Sequence, residues 1–267
     1  MFGFTFDRRM LYVIMAILII MMLGRYLSNP AELLNLLLTV PGVLIAITFH
    51  EYAHAFAADK LGDDTPRRQG RLTLNPLAHL DPIGSIMLLF AGFGWGKPVE
   101  VSPRNYTRKI SMSAGDAIVS IAGPAMNIIL AILFTIIYCA ILRFAPMFAI
   151  GSQIGIITMT ILQMTIVINI GLGIFNLIPL PPLDGSKVLR HFLPYNAQAW
   201  MDQYQYVFYM IFVILWISGL AGTIISPIIS AVYTGITNLI LSIADSMESS
   251  EGLEILDLVG LFLFHKM

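Results

Sequence analysis

Apolar residues fill this chain in long runs, and polar residues are confined to a few stretches between them. A helix needs about 20 mainly apolar residues to cross a bilayer. Six segments reach or approach that length: Met10 to Leu27, Leu33 to Ala58, Ala117 to Leu142, Ile154 to Ile178, Val207 to Leu220 and Thr223 to Ile243. The fifth is short, and Gly219 to Gly222 reads as a hairpin or a bend. The first follows Arg8 and Arg9 as a signal peptide would, but its apolar core is long and no small-residue cleavage site closes it, so it is read as a retained helix. Between the second and third runs, Gly62 to Asp116 holds the shorter apolar run Ile83 to Phe93, bracketed by Pro82, Gly92, Gly94 and Gly96, which reads as a re-entrant or interfacial piece. Alternation in GRLTL (Gly70 to Leu74) and KPVEVSP (Lys97 to Pro103) predicts short strands around it. The pattern therefore predicts an all-α polytopic membrane protein of about six transmembrane helices, with a re-entrant, short-strand segment between the second and third. Residues 1–245 read as one transmembrane domain. Residues 246–267 form a tail, acidic and then apolar, that reads as an interfacial helix or an appended extension.

Composition agrees with a membrane protein and removes other classes. The 267 residues are 57% hydrophobic and 12% charged, with a net charge of −1 and a mean hydropathy of +0.81, against about 25% charged in an ordinary soluble domain. No basic stripe suggests nucleic-acid binding. The single cysteine, Cys139, excludes an internal disulfide and a cysteine-rich metal site. With a cytoplasmic N-terminus and six spans, thirteen of the fifteen Lys and Arg residues fall on the cytoplasmic side and only Arg25 and Arg143 outside. That is the asymmetry of the positive-inside rule, and it puts both termini in the cytoplasm.

Within the second run stands FHEYAHAF, Phe49 to Phe56. A charged side chain at membrane depth costs about 2.5–3.5 kcal/mol by insertion scales, so ionisable residues there need a use. On a helix His50 and His54, four apart, project from one face, and Glu51 lies about 100° round. This is the HExxH arrangement, two imidazoles on zinc with the glutamate as general base. A catalytic zinc site has a third protein ligand and an open position. The candidates are Asp184, His79, Asp81, Asp116 and His191. Asp184 follows Pro179, Pro181 and Pro182, which must break the preceding helix, and a broken helix at membrane depth is tolerated where it is buried in protein or lines a watery cavity. The competing role for Asp184 is the N-cap of the next helix.

HEYAH within an apolar helix, AGPAMN (Ala122 to Asn127) in the next long one, and Asn176 followed eight residues later by Asp184 in LDG resemble the site-2 protease family of intramembrane zinc metalloproteases. The resemblance runs from about Ala31 to His191, and its motifs stand in the family's order. It implies a transmembrane metalloprotease domain with that core, bound Zn2+, His50, His54 and Asp184 as metal ligands and Glu51 as catalytic base. It also suggests Asn176, with Asn127 beside it, as groups contacting substrate or the developing oxyanion. No room is seen for a PDZ or a CBS module, as in the compact prokaryotic members. The partners implied are single-pass transmembrane protein substrates and the lipid bilayer, and the location is a prokaryotic plasma membrane.

Other readings attach to the remaining polar residues. Gly123 with Pro124 allows a close helix approach or a kink, and Asn127 then serves as an interhelical hydrogen-bonding group. His79 and Asp81 suit turn-stabilising hydrogen bonds, His191 a solvated loop, and Trp95 an interfacial anchor. GRLTL offers an edge against which an extended substrate could pair. Two functions of other classes share the cluster: a metal or proton transporter, which normally spreads ligands along a path or shows an internal repeat, and a silent scaffold with a structural zinc.

Overall fold

The structure, a computed structural model, describes residues 24, 28–82, 84–85, 96–107 and 109–247. Nearly all of the predicted first span and of the Ile83 to Phe93 run, Trp95, and the tail beyond Met247 lie outside the described residues. The helices are α1 (Pro30–Lys60), α2 (Thr65–Arg68), α3 (Met112–Phe144), α4 (Pro146–Gly151), α5 (Gln153–Asn176), α6 (Asp184–Phe192), α7 (Tyr195–Gln203), α8 (Gln205–Ile217) and α9 (Leu220–Met247). Four of them, α1, α3, α5 and α9 over Leu220–Ser242, are long and apolar enough to cross a membrane.

Local chemistry sets the ends of the central helices. Pro30 opens α1 at a position where its missing N–H costs nothing. The Ser111 side chain accepts from Ala114 N at the start of α3, and Ser152 does the same for Gly155 N at the start of α5. α1, α3 and α5 pack on one another. Small residues allow the backbones to meet: a Cβ on Gly42 would lie 2.9 Å from Thr165 Cα, and one on Gly173 would lie 3.2 Å from the Pro124 carbonyl oxygen.

The fifth predicted span is not among the helices long and apolar enough to cross. α8 has 13 residues, about 20 Å of helix against a hydrocarbon core of about 30 Å, and Gly219 ends it in a left-handed turn at φ +75°. From that turn α9 sets out beside the end of α5, and its later residues Tyr233 and Leu241 join the core cluster of Tyr138, Cys139 and Leu142 in the far part of α3. α9 therefore runs parallel to α3, and Ser242 sits at the end of the bundle opposite the C-termini of α1 and α5. The described basic residues divide in the same way: those from Lys60 to Arg104, with Lys109, Lys187 and Arg190, gather at the α1 and α5 C-terminal end, and Arg143 lies at the other.

No strand forms among the described residues. The only extended pairing there is an isolated antiparallel bridge between Leu80 and Gly96. The alternation in GRLTL is misleading because the preceding turn and side chains, not a partner strand, hold this segment: Gly70 N and Arg71 N donate to the Arg67 and Pro66 carbonyls. Buried Arg71 donates to the carbonyls of Ala78 and Lys97, and the His79 Nε2–H donates to Thr73 O at 2.7 Å.

The segment after α1 is held by Asp63, which is 0% exposed. Its carboxylate accepts from Thr65 N and Oγ1, Ser102 N and Asn105 Nδ2. Burial alone would raise this carboxyl, but the bonds from Ser102, Thr65 and Asn105 outweigh it and leave the pKa below its ordinary value of 3.8. A depressed folded pKa gives stability that is complete above the unfolded value and disappears as pH falls through the folded one. Asp63→Asn is expected to cost about 2 kcal/mol near neutral pH, read as a lowered melting midpoint of the detergent-solubilised protein. The gap between wild type and variant should narrow below about pH 4.

Candidate metal centre

His50 and His54 stand one turn apart near the C-terminal end of α1, where both are buried. Opposite them the chain breaks after Asn176, passes Pro179 and the cis Pro181–Pro182 bond, and restarts at Asp184. Gly185 allows the restart to nest against the α5 terminus, since a Cβ there would collide with the Leu177 carbonyl. Asp184 is the first residue of α6 and does not cap it. Its Oδ2 lies 3.2 Å from His50 Nε2 and 3.1 Å from His54 Nε2, and the two Nε2 atoms are 3.0 Å apart.

The hydrogen-bond network decides what those atoms carry. Asn169 donates its amide to Thr165 O at 2.8 Å, so its Oδ1 accepts, and it accepts from Asn127 Nδ2 at 2.9 Å. Asn127 Nδ2 also donates to Ala46 O at 3.1 Å. Its Oδ1 must then accept, and the group 2.6 Å away is His50 Nδ1–H. His54 Nδ1–H donates to the Val119 carbonyl at 2.7 Å. With both protons on Nδ1, each neutral imidazole presents a bare Nε2 lone pair to the other and to the carboxylate. The Asp184 carboxylate, with Oδ2 within 3.2 Å of both Nε2 atoms, brings a third lone pair to the same point.

Three lone pairs converging at 3.0–3.2 Å repel unless a positive centre joins them. Ligand atoms about 2.0–2.1 Å from a tetrahedral zinc are about 3.3 Å apart. The donor set, its spacing and the orientation of both rings by acceptors behind them fit a zinc ion held by His50, His54 and Asp184, and these three form the metal-capable group found among the described residues.

Asn127 is 0% exposed and both its amide hydrogens are committed, so it has none left for an oxyanion. It orients His50. Gly123 has a clear reason: a Cβ there would strike the His54 ring and come within 2.7 Å of His50 Cε1. The AGPAMN stretch thus makes room for two imidazoles and, one turn on, supplies the acceptor for one of them. The remaining candidate ligands stand elsewhere. His79 is bonded to Thr73 O, Asp81 Oδ1 accepts from Gly84 N, Asp116 accepts from Tyr106 OH, and His191 Nδ1 pairs with Ser113 Oγ.

A cavity of about 730 Å³ opens on the cluster, within the range of ligand sites. Glu51 and Asn176 line it together with His50, His54 and Asp184. Asn176 spends one amide hydrogen on Leu172 O at 3.0 Å, and Glu51 Oε2 accepts from Val99 N at 3.0 Å. The edge expected at GRLTL is absent from this cavity; Gly96, Pro98, Val99 and Val101 line it instead. Sequence reasoning missed Asn169 and Val99. A lone amide in an apolar helix, seven residues and two turns before Asn176, was a signal for the first. A backbone N–H supplied by an irregular loop leaves none for the second.

Residues 38–219 match the model of peptidase family M50. The chain belongs to peptidase family M50. This M50 member is 36% identical over 213 residues to the Bacillus subtilis protein named "Putative zinc metalloprotease YwhC", covering 78% of this chain and 92% of that protein. It is 34% identical over 184 residues to the Mycolicibacterium smegmatis protein named "Putative zinc metalloprotease Rip2", covering 67% of this chain and 66% of that one. The Rip2 of Mycobacterium tuberculosis H37Rv is 30% identical over 190 residues, covering 69% of each chain. No solved structure matches the chain. The family, the zinc-metalloprotease relatives and the His50–His54–Asp184 cluster make this an integral membrane zinc metalloprotease.

Two substitutions test how the centre is built. Asn127→Ala should weaken zinc binding about 10- to 100-fold, measured by competition with a chromogenic chelator. Gly123→Ala should leave the purified protein with substoichiometric zinc by elemental analysis, while its helical circular dichroism is unchanged.

Proposed function

We propose that this M50 peptidase hydrolyses peptide bonds of single-pass membrane proteins near the cytoplasmic face of a prokaryotic plasma membrane. The observation that carries the reading is the position of the cluster. His54 lies six residues, about 9 Å, from the end of α1, and Asp184 sits just beyond the end of α5. The site is thus inside the apolar length of the bundle but close to its basic end, which the positive-inside rule assigns to the cytoplasm. On this orientation the late part of α9, at Ser242, lies on the opposite side.

Zinc, when bound, lowers the pKa of a water to about 7 and polarises the scissile carbonyl. His50, His54 and Asp184 hold the ion, with Asn127 and the Val119 carbonyl fixing the two rings. Glu51, held by Val99 N, takes the proton of the attacking water at its carboxylate and gives it to the leaving amine. Asn176, which keeps one amide hydrogen uncommitted on the cavity wall, donates to the carbonyl oxygen as charge develops there. One turn of helix with side chains occupies about 400–600 Å³. The cavity therefore takes little more than one turn, which favours a locally unwound substrate whose carbonyls are free of their helical bonds.

A transport path is less well supported. Among the described residues no further His, Asp, Glu, Lys or Arg is buried in the half of the bundle away from the site; the buried polar groups there are neutral, such as Thr135 and Thr237.

The decisive experiment compares wild type with Glu51→Gln on a single-pass membrane substrate in proteoliposomes. Equal zinc with cleavage slowed by at least about 10²-fold is expected. Cleavage surviving the substitution would remove the assigned base, and zinc-loaded wild type inert toward every membrane-spanning substrate would remove the protease reading.

A further inference from the structure

The cavity wall is mostly apolar, and the charged groups on it are few. Glu51 is hydrogen-bonded by Val99 N, and Asp184 is committed to the two imidazoles. Lys187 is the remaining charged side chain on the wall and the one cation among its described residues. It lies on α6 three residues after Asp184, so the two side chains project from neighbouring points of one helix face.

Among the basic residues of this end Lys187 combines two features: it has no hydrogen bond or ion pair among the described residues, and it lines the cavity, as the equally unpaired Lys97, Arg104 and Lys109 do not. Arg67 pairs with Asp59, Arg68 with Asp64 and Arg190 with Asp202. Lys187 makes no hydrogen bond or ion pair among the described residues. The acid within its electrostatic reach is Asp116, which instead accepts the Tyr106 hydroxyl. Lys187 is exposed and also lines the cavity, which places it at the solvent-facing end of the space a substrate enters. A positive-inside residue satisfies that rule anywhere in a site-side loop; this one stands on the wall of the cleft, one turn from a metal ligand.

We propose that Lys187 is a specificity residue that recognises a carboxylate on the substrate segment lying at the solvent-facing end of the cavity. This rests on the protease reading given above. The apolar wall takes the membrane-derived part of the substrate, and Lys187 pairs with the first acidic group beyond it. Two sources present that chemistry, an Asp or Glu side chain in the flanking segment and a free chain-terminal carboxylate left by an earlier cut.

The test uses synthetic single-pass peptides with an Ala/Leu-rich span and one Glu stepped through successive positions of the site-side flank, each paired with its Gln and Lys counterparts and made with a free or an amidated terminus. Zinc-loaded protein in proteoliposomes gives kcat and KM, and Glu51→Gln protein gives binding by fluorescence anisotropy without turnover. At the preferred position, replacing Glu by Gln should raise KM about twofold to fivefold with kcat nearly unchanged, the size expected for a pair between partly exposed groups. Lys187→Gln should abolish that discrimination, and Lys187→Glu should reverse it in favour of the Lys peptide. An effect that follows amidation in place of the Glu assigns the carboxylate to the chain end. Discrimination that persists in Lys187→Gln, or its absence at every position and terminus in wild type, overturns the proposal. Lack of cleavage with Lys187-dependent binding intact would count against the protease reading alone.

Discussion

Everything at this centre depends on two imidazole lone pairs and a carboxylate that face one another at 3.0–3.2 Å inside an apolar bundle. Such an arrangement is unfavourable on its own, because the low local dielectric that strengthens attraction strengthens repulsion equally. It holds because each ring is fixed from behind. His50 is tied through Asn127 to Asn169 and on to the α5 backbone, and His54 is tied to the α3 backbone at Val119. The rings cannot rotate away without stranding buried donors, so the protein presents a preformed site with a net negative charge and a strong preference for a divalent cation.

That network also explains how the ionisable His50 and His54 can sit within the membrane. Polar side chains between helices are tolerated where they find partners on neighbouring helices. α1 contributes the histidines, α3 the Gly123 clearance and the Asn127 and Val119 acceptors, and α5 the Asn169 anchor. The close crossings at Gly42 and Gly173 bring these helices near enough for bonds of 2.6–3.1 Å to form across them. Packing of small residues and polar satisfaction are therefore one device in this bundle.

The parts of this arrangement that were legible in the sequence are those written at fixed spacing along one element. His50 and His54 share a helix face because they are four apart, and the prolines before Asp184 require the break that lets it point inward. Relations between elements were not legible. Nothing local says that Gly123 faces two imidazoles or that Asn127 spends both amide hydrogens on α1 and α5. Val207 to Leu220 counts as apolar, but counting does not register that the helix there has only 13 residues before Gly219 turns the chain. GRLTL has strand alternation, yet Arg71 and His79 satisfy its neighbourhood from their side chains and leave no ladder to build.

Glu51, the proposed base, shows how far the irregular segment between α1 and α3 contributes to the site. Glu51 is oriented by Val99 N, a group in a loop with no regular secondary structure of its own. That loop is fixed on one side by Arg71 and His79, which hold Lys97 through its carbonyl and its N–H. On the other side Asp63 holds Ser102. Gly96 enters where a Cβ would press on Ile47 and reach 3.4 Å from Glu51 Oε1, and Pro98 has no N–H of its own, so Val99 is the first donor past Lys97. A carboxylate accepting one fixed backbone donor keeps its second oxygen free for a proton in transit. The polar cluster around Asp63, remote from the metal, is thus mechanically continuous with the base, because loosening either anchor of the loop moves the donor that aims Glu51.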